Sequence, residues 1–158
     1  MQVLLWLLVL VAGAVVAARF NAFAGSPPEG LGVREGKLKP PKTTPNSVSS
    51  QAALWPDHPR RGDAQIAPLA LKGDGTATIA RIAQIVDGME GARIVERKPD
   101  YLYAQFTTKL MRFVDDTEFW FDPAAGVVQV RSASRVGRKD FDVNRSRIEA
   151  IRALLGGA

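Results

Sequence analysis

The pattern of apolar and polar positions divides the chain into three parts. Residues 3–18 are almost continuously apolar. Residues 25–50 are rich in Pro, Gly, Lys, Ser and Thr and have neither helical nor strand periodicity, which is typical of extended, turn-rich chain. From residue 66 onward, apolar positions recur at the spacing of strands or helices. We therefore predict a hydrophobic segment over residues 1–24, a flexible basic linker over residues 25–43 and a single domain over residues 44–158.

Two helices are predicted by apolar positions at helical spacing. The first contains Ile79, Ile82 and Val86, and Asp74 or Thr76 is suited to cap its N-terminus. The second runs from about residue 144 to residue 155, with Asp142 or Asn144 as its N-cap. Strands are predicted over residues 66–71, 93–97, 101–108, 113–122 and 127–136. Because the connections between consecutive strands are short, we expect an α+β domain of two layers, in which both helices pack on one face of an antiparallel sheet of about four to five strands.

The register of the hairpin around residues 122–127 follows from the two faces of its strands. If Asp122 pairs with Val127, then Phe119 faces Val130 and apolar residues share one side. A slip of one residue would set Phe119 against Gln129 and mix the two faces. The predicted register places Asp116, Glu118, Arg131 and Arg135 together on the other side. We expect these four to form a charge ladder on a solvated sheet face, where each pair stabilises the fold by roughly 0–1 kcal/mol.

Polar residues also occupy the side of the hairpin that faces the helices. Asp115 lies there with Thr117, Ser132 and Ser134. A buried carboxylate needs a partner, and Arg145 or Arg147 of the last helix is the nearest candidate. Two interpretations stay open: a buried network that fastens the last helix to the sheet, or a small polar pocket.

The N-terminal apolar run predicts either a membrane anchor or a signal peptide. Its sixteen residues are short for a spanning helix, which needs about 20. Ala22-Phe23-Ala24 fits a cleavage site, but no Lys or Arg precedes the apolar run. We predict an uncleaved anchor with the domain on the exported, periplasmic side; the alternative is secretion after cleavage following Ala24.

Composition limits the chemistry of the domain. The chain has no cysteine and one histidine, His58, in a proline-flanked loop, which argues against thiol chemistry and zinc. Five of the 21 basic residues but only two of the 16 acidic ones lie in residues 1–43, so the remaining 16 basic and 14 acidic residues are nearly balanced. The charge near the apolar run favours anionic lipid as partner. Nucleic acid is not expected, since aromatic and basic residues are not interleaved.

Several segments resemble one family, the domain of unknown function 1499. The matching segments are Pro45 to Ser50, Asp100 to Leu102, Arg112 to Asp116, Val130 to Gly137, and Asp140 with Val143 to Arg145. The family typically has two cysteines where this chain has Pro41 and Ser47, and a glycine where it has Asp142. The resemblance implies an α+β domain, often exported or membrane-tethered, and no known catalytic activity.

Two classes of function therefore remain open. The first is a membrane-tethered binding or structural module whose partner is an unknown protein or small molecule. The second is a hydrolase-like enzyme with a pocket around Asp115, Ser132, Ser134 and Arg145. Asp115 and Asp116 point to opposite sides of a strand, which argues against a shared metal or proton. No catalytic residue and no cofactor is predicted. The candidate ligand-binding residues are Asp115, Ser132, Ser134, Arg131, Arg135, Asp140, Asn144 and Arg145.

Overall fold

Six strands form a single sheet in the computed structural model of the chain, which describes residues 2–19 and 22–157. The strands are β1 (Ser47–Ser49), β2 (Leu69–Ala70), β3 (Ala92–Arg97), β4 (Tyr101–Thr107), β5 (Val114–Asp122) and β6 (Val127–Ser134). They lie in the order β1-β6-β5-β4-β3, with β2 also paired to β6, and each of these pairs is antiparallel. The predicted α+β class and antiparallel sheet are confirmed.

The helices described are α1 (Gln2–Arg19), α2 (Arg61–Ala64), α3 (Gly75–Asp87) and α4 (Val143–Gly156), with a 3-10 turn at Ala52–Leu54. Asp74 caps α3, since its Oδ1 accepts a hydrogen bond from the Ala77 N–H at 2.7 Å. Of the two residues predicted to cap α4, Asp142 occupies the N-cap position. Asp142 makes no side-chain cap bond, and Oδ2 of Asp140 accepts the Asn144 N–H at 3.1 Å instead.

The main core lies between the sheet and the two long helices. Apolar residues of α3 and α4, such as Ile82 and Ile151, form one buried cluster with Leu102, Phe119 and Val130 of the central strands. Both helices therefore pack on the same face. The hairpin register is confirmed: Asp122 pairs with Val127, and the strands continue without a shift to Asp115 opposite Ser134.

Residues 46–50 belong to the stretch predicted as extended, turn-rich chain, but they contain β1. Ser47, Val48 and Ser49 pair antiparallel with Ala133, Ser132 and Arg131 at the edge of β6. Only Val48 of these three is apolar, and it joins the main core. Three residues with a single apolar position give no alternation for a sequence pattern to detect, so tertiary pairing decides the conformation.

The segment 25–43, predicted as an extended linker, packs on the second face of the sheet. Leu38 is 1% exposed and forms a second apolar cluster with Tyr101, Tyr103 and Trp120. The side chain of Gln51 fixes this segment: its Oε1 accepts the Leu38 N–H at 2.8 Å, and its Nε2 donates to the Gly36 carbonyl at 3.0 Å. The sheet is consequently covered on both faces, by helices on one side and by irregular chain on the other.

The apolar run near the N-terminus forms α1. The large apolar side chains of α1, among them Leu4, Trp6 and Leu10, are exposed. Within residues 2–19 and 22–157, no helix is long and apolar enough to cross a membrane.

Candidate functional site

The predicted charge ladder on the second sheet face is buried, not solvated. Glu118 is 0% exposed and pairs with Arg131 across the β5–β6 ladder. Its Oε1 accepts hydrogen bonds from the Tyr101 hydroxyl at 2.8 Å and from the Gly32 N–H at 2.7 Å. The prediction fails because segment 25–43 and the tyrosines of β4 close over this face, which removes the ladder from water.

Arg131 is the least satisfied cation of this face. Its side chain is 4% exposed, and its Nε donates to the Pro40 carbonyl at 3.2 Å. Its Nη1 lies 3.6 Å from Oε2 of Glu118, too far for a good hydrogen bond. Within the described residues, neither of these two buried atoms has a hydrogen-bond partner. Burial raises the pKa of the Glu118 carboxyl, and the charge of Arg131 opposes that shift only partly.

Arg135 is fully paired by contrast. Its Nε and Nη2 donate to the two carboxylate oxygens of Asp116, each at 2.8 Å. This two-point geometry is the strong form of the arginine–carboxylate pair. Asp116 also accepts the hydroxyl of Tyr103 at 2.5 Å. The bond to Asp116 is the main reason that the pKa of Arg135 is raised.

A cavity of about 390 Å³ opens between segment 25–43 and this face. We call it the cationic cavity, because four basic side chains and one acidic side chain line it. The charged residues are Lys39, Lys42, Arg131, Arg135 and Asp116. Among the described residues, Lys39 and Lys42 form no ion pair. Lys42 Nζ donates to the carbonyls of Ser134 at 2.8 Å and Arg135 at 3.2 Å, and Lys39 Nζ donates to the Glu29 carbonyl at 2.6 Å.

The charged form of Lys42 is less favourable at this position than in water. Burial lowers the pKa of its ammonium group, and repulsion from Arg131 lowers the pKa further, while Asp116 acts in the opposite direction. The cationic cavity thus holds positive charge that its own carboxylates do not neutralise.

The polar cluster on the helix-facing side is a closed network. Asp115 is 3% exposed, and its Oδ2 accepts a hydrogen bond from Arg147 Nη2 at 2.6 Å. The guanidinium of Arg147 stacks 4.4 Å from the ring centre of Phe106, and its Nη1 donates to Asn144 Oδ1 at 2.9 Å. Of the two arginines considered from the sequence, Arg147 makes the contact.

Hydroxyl groups complete this network. Ser132 Oγ bonds Thr117 Oγ1 at 2.7 Å and donates to Asn144 Oδ1 at 2.5 Å. Asn144 Nδ2 in turn donates to Ser134 Oγ at 3.0 Å. Asp115 lines none of the five principal cavities of the described residues. These contacts match a network that fastens α4 to the sheet, and Ser132, like Asp115, lines none of those cavities.

Asp140 and Arg145 lie elsewhere, at a second cavity of about 500 Å³. Arg145 donates to the backbone carbonyls of Gln65 at 3.0 Å and Asp63 at 2.8 Å. The Asp140 carboxylate accepts hydrogen bonds from the backbone N–H and from Nδ2 of Asn144, at the start of α4. The predicted candidates are therefore not one site. Arg131 and Arg135 line the cationic cavity, and Ser134 lines it too, although its hydroxyl belongs to the network with Asn144. The other candidates lie outside the cavity.

Sequence reasoning missed Lys39 and Lys42, which lie in the segment predicted as linker. One feature of the sequence indicated that this segment covers the sheet. Tyr101 and Tyr103 point to the same side of β4, and Trp120 lies on the same sheet face. Three aromatic residues on one face need a cover, and Leu38 of segment 25–43 provides it together with the partly buried Leu31.

No group of three or more His, Cys, Asp or Glu side chains in the described part of the chain could hold a metal ion. Asp115 and Asp116 point to opposite faces of β5 and bond different arginines. This opposite orientation is expected for two neighbouring residues of a strand.

Comparisons with known proteins place the chain in a family without assigning a reaction. No curated protein matches it, and no solved structure does. The family model described as Protein of unknown function (DUF1499) matches residues 37–155, which is most of the chain. The matched range includes the whole sheet and the lysines of the cationic cavity. The chain therefore belongs to the DUF1499 family.

Proposed function

We propose that this domain is a binding module for a small anionic ligand, which it holds in the cationic cavity. The observation that carries the proposal is the state of Arg131. This side chain lines the cavity and is almost completely buried, yet its Nη1 has no hydrogen-bond partner among the described residues. A buried, unsatisfied charged donor is unfavourable, and a negative charge in the adjoining cavity would stabilise the Arg131 guanidinium.

The charge balance supports an anion over a neutral ligand. Asp116 balances the charge of Arg135, and Glu118 balances the charge of Arg131. Lys39 and Lys42 remain, and both donate to uncharged carbonyl oxygens. The net charge of these six side chains is therefore +2, four basic minus two acidic. Lys39 and Lys42 are partly buried, where the effective dielectric constant is below that of water, so this excess attracts anions more strongly than the same charges would in bulk water.

The size of the cavity supports a small ligand. Its volume of about 390 Å³ lies near the lower end of the range for ligand pockets, about 300–1,000 Å³. A phosphate or carboxylate group matches the planar donor geometry of arginine. The proposed class is thus a small phosphate- or carboxylate-bearing molecule.

Calorimetric titration of the full chain tests the proposal. The probes are inorganic phosphate, diphosphate and citrate, and the variants are Lys39→Gln and Lys42→Gln. The matched control is Lys72→Gln, since Lys72 also donates to a backbone carbonyl but lies outside the cavity. We expect saturable binding of at least one probe, weakened by each cavity variant and unchanged in the control. Equal binding in all variants, or none in the wild type, would refute the proposal.

The hydrolase alternative gains no support from the described residues. Asp115 is paired with Arg147, and Ser132 is bonded to Thr117 and Asn144. Neither serine has a histidine as base, since the single histidine His58 lines a separate cavity with prolines around it.

Membrane attachment and export stay predictions. Attachment through residues 1–24 and residence of the domain on the exported side rest on the sequence alone. Fractionation of cells that express the full chain, with N-terminal sequencing of the product, tests both. An intact N-terminus in the membrane fraction supports the anchor, a product that begins at Gly25 supports secretion, and an intact protein outside the membrane fraction contradicts both.

A further inference from the structure

Two loops meet at one end of the sheet, and apart from Arg135 neither contributes a residue to the cationic cavity. The first joins β4 to β5 over residues 108–113, and the second joins β6 to α4 over residues 135–142. A groove of about 570 Å³ lies between them, with Thr108 and Lys109 on one side and Phe141 on the other.

Both loops expose large apolar side chains. Phe141 is 89% exposed and Leu110 is 65% exposed. Phe141 and the following Asp142 both have left-handed backbone angles, with φ of 53° and 63°. Non-glycine residues adopt this conformation at a cost and retain it where the surrounding structure holds it. An exposed aromatic ring on such a turn indicates a contact surface.

Basic side chains surround these two apolar residues. Lys109, Arg112, Arg138 and Lys139 are all exposed. Among the described residues, only one of the four has an ion-pair partner: Lys109 lies 3.5 Å from Glu90, and both of those side chains are largely exposed. An exposed pair of this kind contributes little. Three acidic side chains lie at the same surface: Glu90, Asp140 and Asp142. The surface is therefore apolar at its centre, and its rim of four basic and three acidic side chains has a net charge of +1.

The exposed apolar helix α1 leads to the same end of the domain. The ring of Phe23 packs on Phe113, in the loop between β4 and β5, with 5.7 Å between ring centroids. The chain therefore joins the domain beside the two loops. A bilayer fits this arrangement better than a protein partner, because the loops and α1 expose apolar side chains together and the rim has an excess of basic over acidic side chains.

We propose that the loops around Leu110 and Phe141 dock onto an anionic lipid surface, with the two apolar side chains inserted and the basic rim at the headgroups. We call this surface the loop face. It is independent of the anion proposed for the cationic cavity, and it requires no membrane-spanning segment.

Site-specific labelling tests insertion apart from any contribution of α1. The chain has no cysteine, so a single substitution gives a single site for an environment-sensitive fluorophore. The labelled variants are Leu110→Cys and Phe141→Cys, and the control is Val95→Cys, which is exposed on the edge strand β3. The full chain is mixed with phosphatidylcholine vesicles that contain phosphatidylserine and a nitroxide-labelled lipid.

We expect the fluorophores at 110 and 141 to report an apolar environment and to be quenched by the nitroxide lipid, whereas position 95 reports water. If the protein sediments with vesicles while 110 and 141 remain as solvated as 95, α1 alone binds lipid and the loop face is refuted. If the protein does not sediment with vesicles and positions 110 and 141 remain as solvated as 95, the loop face is also refuted.

The basic rim gives a second test. Lys109→Gln and Lys139→Gln should each lower the vesicle partition coefficient about fivefold, the size expected for one basic residue near an anionic bilayer. Arg97→Gln, an exposed residue at the opposite end of the sheet, should leave it unchanged. Binding that does not depend on phosphatidylserine, or that falls equally in all three variants, would overturn the proposal.

Discussion

Nη1 of Arg131 lies 3.6 Å from Oε2 of Glu118, and both side chains are almost completely enclosed. This pair is the centre of a charged layer between the sheet and segment 25–43. That segment shields both ions from water, so each charge is stabilised by the other ion and by a few hydrogen bonds. The layer explains both the stability of this face and its proposed affinity for anions.

Glu118→Gln should destabilise the fold strongly. The substitution removes the counter-charge of Arg131 and leaves a buried guanidinium unpaired, which typically costs about 3–5 kcal/mol. Urea denaturation followed by circular dichroism measures the free energy of unfolding. Glu149→Gln is the control, since Glu149 pairs with Arg152 on an exposed surface and should change stability by less than about 1 kcal/mol. Similar losses in the two variants would show that Glu118 is not enclosed.

Asp115→Asn should weaken the attachment of α4 to the sheet. Arg147 would lose its carboxylate while it remains largely buried, with an expected cost of about 3–5 kcal/mol. In a double-mutant cycle, Arg147→Met added to Asp115→Asn should cost less than the sum of the two single changes, by about 0.5–3 kcal/mol. Additive costs would mean that the two residues do not act as a pair.

Asp142→Gly should stabilise the domain. Asp142 has a left-handed φ of 63° and makes no side-chain cap bond to α4. Glycine adopts this conformation without strain, so we expect a gain of about 0.5–1 kcal/mol. The resemblance to the DUF1499 family points to glycine at the same place. Asp142→Ala is the matched comparison: it removes the same carboxylate but keeps the strain, so it should be less stable than the glycine variant in thermal melts. Equal melting temperatures would exclude backbone strain as the cause.

Anion affinity should fall as pH rises through the pKa of Lys42. That pKa is lowered in the free protein, chiefly by burial. A bound anion would stabilise the ammonium and raise the pKa, so the complex holds more protons than the free protein between the two values. Binding is therefore strongest below the lowered pKa. Titration with sulfate, whose charge is constant in this range, measures the effect, and Lys42→Arg should abolish it. A pH dependence that survives in Lys42→Arg would assign it to another group.

The sequence predicted the elements that carry a clear apolar period. The stripe of Ile79, Ile82 and Val86 predicted α3, and segregation of the two faces predicted the register of β5 and β6. The contact between the last helix and Asp115 was also predictable, because a carboxylate on a core-facing position needs a cation.

The cover of the second face was not predictable from periodicity. Segment 25–43 has no regular structure over most of its length, and two apolar side chains, the buried Leu38 and the partly buried Leu31, pack it against the tyrosines of β4. Burial of Glu118 and Arg131 follows from that distant contact and not from their own neighbours in the chain. Local patterns describe one face of a strand as polar, but they do not tell whether another segment lies above it.

The most direct test of the cationic cavity is the nuclear magnetic resonance signal of the Arg131 guanidinium in the full chain. On titration with diphosphate, the Arg131 Nε–H signal should shift and saturate, and Lys42→Gln should raise the concentration needed. Arg145, which donates to backbone carbonyls at the other cavity, is the internal reference and should not shift. An Arg131 signal that stays constant, or that shifts no more than that of Arg145, would contradict anion binding at this site.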